Sequence, residues 1–537
     1  MKKKKINIIV LTQSTPLALV ASSIKSTKNL FNFLLLSTHK LFETEKEEIQ
    51  NNINRVVIFK TFADFLSDKE MAWCDKVAYE EMSKKYNSNF NAALVGEYFS
   101  IIKTKKNRTA LNNILKKYEL QKKILLADDL GIDSKIWENE SFEISLIKKS
   151  TTAQTKVFKK IRSLLLLKPL LSRIKKFKRF KQRCSNIIII ENAKKKYLFL
   201  TPIKRVEDKL SFNKIKIKRK FISLNSFFKT YLKSILKYRK FGTIEFGLVL
   251  LNKIKDEEGD FKIATTIHEY NCYLLKLAKR MGVKLVVLQD GFLPENYSSY
   301  YLKFFKNVDK FFCWDESSKK IFAKFSLPVE IAPFLDMKLP AIKMKNYPVN
   351  TIVVLTSGAG DWTALKNRSD QDLEVEAFAK VAKEFPNINI IFRCHPLWAH
   401  KKHQGTNSIN RVDKYYKSLN LKNIRISEES LKQADYFKKT GNLWIEKKSA
   451  DKDINEGNLF FGEHSIAMID AAKKSKIFAS VNLTNRRNFF INYSKLGFPN
   501  LTSVEEVIDF IKKIREKNEV INSFNKAVEK YNEQFKN

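Results

Sequence analysis

The sequence predicts an α/β protein built from two doubly wound domains, the first of them carrying a basic helical insertion. Three observations carry that expectation. Short, nearly all-apolar runs recur along the chain, each the length of a strand buried on both faces of a parallel sheet. Helically spaced stretches separate those runs, the alternation that parallel sheets require. At 537 residues the chain exceeds one compact core, and a stretch at 336–350 flanked and marked by Pro333, Pro340 and Pro348 reads as a linker. The expected units are 1–335 with an insertion at 145–240, then 350–515, then a terminal helix or tail at 516–537.

The first domain opens with the strand Ile6–Leu11, after which Thr15 reads as an N-cap and Pro16 as the first-turn proline of a helix running to about Ile24. Further strands are expected at Leu30–Leu36, Val56–Lys60 and Ile124–Ala127. The last is followed by Asp128 and Asp129, an acidic pair where open α/β sheets gather ligands, or simply a solvated turn. Between Glu143 and Glu191 no acidic residue occurs, while Lys, Arg, Leu and Phe accumulate across 159–183, partly at helical spacing. Basic helices with an apolar face suit an anionic bilayer, and the same pattern suits lysine-rich helices packed on the sheet. A second basic stretch, Lys214–Lys240, has the same character. The sheet pattern resumes at Phe246–Leu251, and a helix is expected from about Tyr270 to Met281. The strand Lys284–Leu288 then runs into Gln289-Asp290-Gly291, so that Asp290 projects from a strand's carboxyl end as a candidate general base, or caps the next turn.

The second domain opens at Thr351–Thr356 and continues into the small-residue loop Ser357-Gly358-Ala359-Gly360-Asp361, a plausible though weakly specific phosphate cradle. The strand Ile388–Phe392 ends in Arg393-Cys394-His395-Pro396, where His395 can donate to a phosphate. Phe460–Gly462 reads as a strand and a tight turn at the glycine, with Glu463, His464 and Ser465 leading into a helix and Ile477–Val481 as the next strand. Ser465 stands where an N-cap belongs, and such a helix start offers free N–H groups to an anion; an ordinary capped helix has the same pattern. Arg486 and Arg487 are secondary candidates for phosphate or carboxylate contact. A final helix is expected near Val504–Ile514.

Composition narrows the partners. One hundred Lys and Arg against 57 Asp and Glu give a net charge of +43, which suits nucleic acid, an anionic membrane face or acidic small molecules. Apolar stripes among the lysines and the lack of a nucleic-acid-binding signature favour the membrane. The five cysteines show no paired spacing, which argues against a disulfide framework or zinc site and suits a reducing cytoplasm. The opening run Ile6–Leu11 is too short for a signal peptide, and no run of about 18 apolar residues predicts a spanning helix.

The strand ending in Asp290-Gly291, the His395-Pro396 pair and the Gly462-Glu463-His464-Ser465 helix start together resemble bacterial glycosyltransferases of surface polysaccharide assembly, capsule or lipopolysaccharide. These have the GT-B fold of two Rossmann-like domains, and the nearest patterns are the sialyltransferase and Kdo-transferase families that use CMP-activated sugars. The resemblance implies a metal-independent transfer from a nucleotide-sugar donor, with no separate cofactor, to a glycan or glycolipid at the inner face of the cytoplasmic membrane. It implies Asp290 as base, His395 and Ser465 on the donor phosphate, and Gly358, Gly360, Arg393, Pro396, Glu463 and His464 around the donor. Gln289 departs from the families' acid–Asp–Gly form, which leaves Asp128 and Asp129 as the other candidate base. The skeleton also resembles CDP-glycerol glycerophosphotransferases, and it is compatible with a UDP-sugar transferase. A membrane-docked, non-catalytic scaffold of glycan assembly is the reading from a different class.

Overall fold

A computed structural model describes residues 3–11, 15–37, 41–51, 53–86, 95–127, 142–146, 186–192, 195–199, 216–221, 229–230, 232–233, 236–237, 243–267, 272–289, 300–305, 307–332, 337–343, 347–356, 368–395, 398, 408–440, 450–463, 465, 467–483, 491–516 and 519–535. The fold is α/β, and its described strands form three sheets. The first contains β1 (Lys4–Leu11), β2 (Phe33–Ser37), β3 (Val57–Thr61), β4 (Tyr118–Ala127) and β5 (Glu143–Leu146), all parallel in the order β3-β2-β1-β4-β5. Alternate residues of its strands enter two separate cores. Ile6, Ile8 and Val10 pack with α4 (Val95–Lys117), whereas Ile9 and Leu11 pack with α1 (Leu17–Lys25) and α2 (Glu43–Gln50). Apolar residues on both faces explain why these strands read as unbroken hydrophobic runs.

α3 (Asp68–Tyr86) pairs with α4 and carries the first sheet to the second, because Ala78, Met82, Tyr98 and Ile102 share the core of the second sheet. At this junction the Tyr98 hydroxyl donates to the buried Asp75 carboxylate.

The second sheet has the order β12-β11-β10-β9-β7-β6-β8. Its parallel block is β9 (Lys262–Thr266), β10 (Leu285–Leu288), β11 (Lys310–Cys313) and β12 (Val329–Ile331), and β7 (Lys195–Phe199) joins that block in parallel. β6 (Asn186–Asn192) alone is reversed, antiparallel both to β7 and to the edge strand β8 (Lys216–Phe221). The expectation of a helical insertion at 145–240 is therefore corrected at 186–192, 195–199 and 216–221, which are strands. Four consecutive isoleucines and the Lys-Ile alternation at 214–218 are period-2, β-branched patterns, and charge had obscured them. The basic helix expected at 159–183 lies outside the described residues. Phe246–Leu251, expected as a strand, is part of the helix α5 (Thr243–Glu258), whose apolar positions continue to Ile254. A short apolar run has no periodicity of its own to separate a strand from a helix buried on several sides. α6 (Cys272–Met281) and α7 (Glu316–Ala323) complete this unit.

The third sheet is parallel throughout, in the order β15-β14-β13-β16-β17-β18. Its strands are β13 (Thr351–Leu355), β14 (Asn389–Arg393), β15 (Ile424–Ile426), β16 (Leu459–Gly462), β17 (Ile477–Val481) and β18 (Asn500–Leu501). Around it lie α8 (Arg368–Glu384), α9 (Ser408–Ser418), α10 (Glu428–Thr440), α11 (Ala450–Glu456), α12 (Ala467–Lys473), α13 (Ile491–Ser494), α14 (Val504–Glu516) and α15 (Glu519–Asn532).

One apolar cluster spans the second and third units. Val286, Leu288, Phe312 and Trp314 belong to it together with the strands of the third sheet, the linker residues Leu339, Ile342, Tyr347 and Val349, and Phe524 and Tyr531 of α15. The described linker residues, 337–343 and 347–350, are thus packed and not loose. Asn525 and Asn532 each exchange two hydrogen bonds with the linker backbone, at Ile342 (2.8 and 2.9 Å) and at Leu339 (2.8 and 2.7 Å). The terminal helix returns to the second unit, where the Gln534 side chain accepts from Glu316 N at 3.2 Å. The first unit meets the third through α2 and α9. Arg411 makes a two-pronged ion pair with Glu45 (3.0 and 2.7 Å) and lies 3.9 Å over the Phe42 ring, which stacks on Tyr415 at 4.2 Å.

Candidate active site at the carboxyl edge of the third sheet

In the third sheet the chain leaves β13 in one direction, to β14 and β15, and returns on its other side at β16. That reversal opens a crevice at the strands' carboxyl ends, the place where open α/β sheets take ligands. The register fixes which residues meet there. Leu355 pairs with Arg393 on one side and Gly462 on the other, so Thr356, Cys394-His395 and Glu463 follow at one level. Thr356 N donates to Arg393 O at 3.1 Å, and His395 N donates to Thr356 Oγ1 at 2.8 Å, carrying the β13–β14 pairing past the sheet proper. Trp398 N donates to His395 O at 2.8 Å, which closes a tight turn after the half-buried histidine. Burial pushes the Cys394 thiol far above its ordinary range, so it is no nucleophile.

The structure places His395, Glu463 and Ser465 at this edge. Glu463 is buried, its carbonyl accepting from Ser480 Oγ at 3.4 Å, and Ser465 is half-buried, its carbonyl accepting from Met468 N at 3.0 Å. α12 has only seven residues and no long macrodipole, and Met468 N in its first turn is already engaged by Ser465 O, so what it offers an anion is the remaining first-turn N–H groups. Gly462 does not make a turn. It is the last residue of β16, and a Cβ there would lie 2.7 Å from the Leu355 carbonyl oxygen, so glycine is required by the approach of β13.

Arg393 is a correction. The sequence placed it on the donor, yet its guanidinium is buried and paired with Asp453, which also accepts from Ser427 Oγ at 2.7 Å. It braces β14 beneath the site from inside the fold. Thr15 likewise does not cap α1: Pro16 holds the cap position and the Thr15 hydroxyl donates to Leu126 O at 2.9 Å, at the end of β4.

In the second unit Gln289 is buried at the carboxyl end of β10 and fully engaged. Nε2 donates to Ser318 Oγ at 3.1 Å, Oε1 accepts from Trp314 N at 3.1 Å, and the carbonyl accepts from Trp314 Nε1 at 2.9 Å. Asp290, Gly358, Gly360, Pro396, His464, Arg486, Arg487, Asp128 and Asp129 lie outside the described residues. β4, which precedes Asp128 in sequence, and β10, which precedes Asp290, lie in different sheets.

The sequence did not expose Asp315. It follows β11, caps α7 by accepting from Ser318 N at 2.7 Å, and accepts from the Tyr493 hydroxyl of the third unit at 2.7 Å. Burial raises its carboxyl above the ordinary range, and burial also raises the Tyr493 phenol. The Asp-x-x-Ser spacing before a helix was the available signal for the cap; nothing local pointed to Tyr493. Among the described residues no group of three or more His, Cys, Asp or Glu is placed to hold a metal ion. Nor is any described helix long and apolar enough to cross a membrane.

No family model and no curated protein matches the chain. Among solved structures it is similar to sucrose-phosphate synthase from Thermosynechococcus elongatus, at 11% identity and a TM-score of 0.32 over 54% of this chain and 74% of that one. It is similar to MurG of Acinetobacter baumannii at 8% identity and a TM-score of 0.30, over 80% and 91% of the two chains. The lipopolysaccharide outer core galactosyltransferase WaaB in its apo form gives 7% identity and a TM-score of 0.30, over 54% and 76%. TM-scores this low carry no argument about activity, so function has to be read from the residues of this chain.

Proposed function

We propose that the protein is a glycosyltransferase that moves a sugar from a nucleotide-activated donor to a glycan or glycolipid acceptor. The observation that carries this reading is the convergence of His395, Thr356 and the Glu463–Ser465 turn at the strand-order reversal of the third sheet. In it, the donor phosphate sits against the His395 side chain and the first-turn N–H groups of α12, which stabilise charge on the departing nucleotide. Asp290 takes the proton from the acceptor hydroxyl. Arg393 and Asp453 hold the end of β14 and do not touch the donor. The residue pattern favours a CMP-activated donor of the sialic acid or Kdo type, used at the inner face of the cytoplasmic membrane. A UDP-sugar or CDP-glycerol donor keeps the same site.

Thermal unfolding against CMP, CDP, UDP, UMP and GDP tests the reading, because a ligand bound only by the native state raises the midpoint. A rise with CMP, lost in His395→Ala and in Ser465→Ala, is the expected result. A rise with UDP or CDP replaces the donor and keeps the site. No rise with any nucleotide overturns the transferase reading and leaves a non-catalytic scaffold.

A further inference from the structure

We propose that Lys229, Leu232, Lys233, Leu236 and Lys237 form a docking edge for an anionic lipid bilayer, which gives the membrane part of the preceding reading a place on the molecule. The described positions of this stretch, 229–230, 232–233 and 236–237, are helical. Thr230 is buried and faces the body of the protein, whereas Leu232 is 56% and Leu236 77% exposed. Among the described residues only Leu30, at 90%, is a large apolar residue more exposed than Leu236, and only Leu30, Leu236 and Val56 (59%) are more exposed than Leu232. In sequence, Lys229, Leu232, Lys233, Leu236 and Lys237 stand at i, i+3, i+4, i+7 and i+8, the spacing of one amphipathic helix face. All three lysines are exposed. Two leucines one turn apart beside three lysines are an apolar strip with a cationic border, the arrangement that lies in a lipid headgroup layer.

Charge selects the occupant. Residues 209–244 contain eleven Lys and Arg and no Asp or Glu, and they include β8, the edge strand of the second sheet. A protein partner with an acidic groove is a less economical match, because the acid-free tract continues the chain's general excess of +43. Nucleic acid would use the lysines and leave Leu232 and Leu236 without a role. An anionic bilayer uses both: phosphate headgroups meet the lysines and the leucines enter the interface.

Vesicle flotation of the full chain needs no catalysis, so its outcome is independent of whether the transferase reading holds. Co-flotation is expected with phosphatidylglycerol–phosphatidylcholine vesicles and not with pure phosphatidylcholine. Leu232→Gln/Leu236→Gln should weaken partitioning about tenfold or more. Lys229→Gln/Lys233→Gln should weaken it roughly fivefold per lysine, with the remainder lost at high salt. All four side chains are exposed, so an unchanged melting curve shows that each variant is folded. Binding untouched by the leucine pair, equal flotation with neutral vesicles, or full displacement by random duplex DNA would each overturn the proposal.

Discussion

The buried Arg393–Asp453 pair is the most exacting place to test how the third unit is held together. Its side chains are only 10% and 3% exposed, and Asp453 also accepts from Ser427. Asp453→Ala leaves a guanidinium buried without its partner carboxylate, at a cost of about 3–5 kcal/mol. At roughly 2–4 °C per kcal/mol for a unit of this size, the melting midpoint should fall by roughly 6–20 °C. The pair is itself offset by the desolvation of both charges, so Arg393→Met/Asp453→Leu should recover most of the loss. Urea unfolding followed by circular dichroism and by tryptophan fluorescence measures both variants. Because Arg393 O and the neighbouring His395 N anchor Thr356, nucleotide affinity should fall with Asp453→Ala while the folded fraction is still high. A loss below about 1 kcal/mol in the single variant, or no recovery in the double one, would refute the reasoning.

Three further outcomes follow from the same geometry. Burial raises the Asp315 carboxyl above its ordinary 3.8, so just above that pH the folded chain holds a proton that the unfolded chain has released. Stability therefore falls as pH rises from 3.8 to the raised value, and Asp315→Asn, which does not titrate, should lack that fall when midpoints are compared across pH. Gly462→Ala places a Cβ 2.7 Å from Leu355 O and should destabilise by about 1–3 kcal/mol in urea unfolding; an unchanged midpoint would mean that β13 and β16 part freely. A double-mutant cycle with Glu45→Ala and Arg411→Ala should give a coupling of about 1–2 kcal/mol, and zero coupling would mean that the first and third units are not fastened there.

The strands were legible wherever the sheet is covered on both faces. Ile6–Leu11, Lys284–Leu288, Thr351–Thr356 and Ile477–Val481 each carry a short, nearly all-apolar run, and the structure has a strand at each. Phe246–Leu251 failed because a helix buried on several sides shows the same run. The lysine-rich stretch hid β6–β8, because charge on an edge strand masks the period-2 alternation beneath it. At the site, His395 follows directly on a strand's carboxyl end and Ser465 lies just ahead of a helix, both local features that a sequence shows. Arg393 was misassigned because its partner Asp453 lies 60 residues away, and Asp315 was missed because Tyr493 lies 178 residues away. Such pairings are set by how the sheets and helices pack, and no short stretch of sequence records them.

Hydrogen–deuterium exchange with and without the nucleotide that raises the melting midpoint most locates the donor directly. Slowed exchange is expected in peptides covering Thr356, Cys394-His395 and Glu463–Met468, with the first sheet unchanged. Protection confined to the ends of β1 and β4, or absent from all three segments of the third sheet, would contradict a donor site at its carboxyl edge.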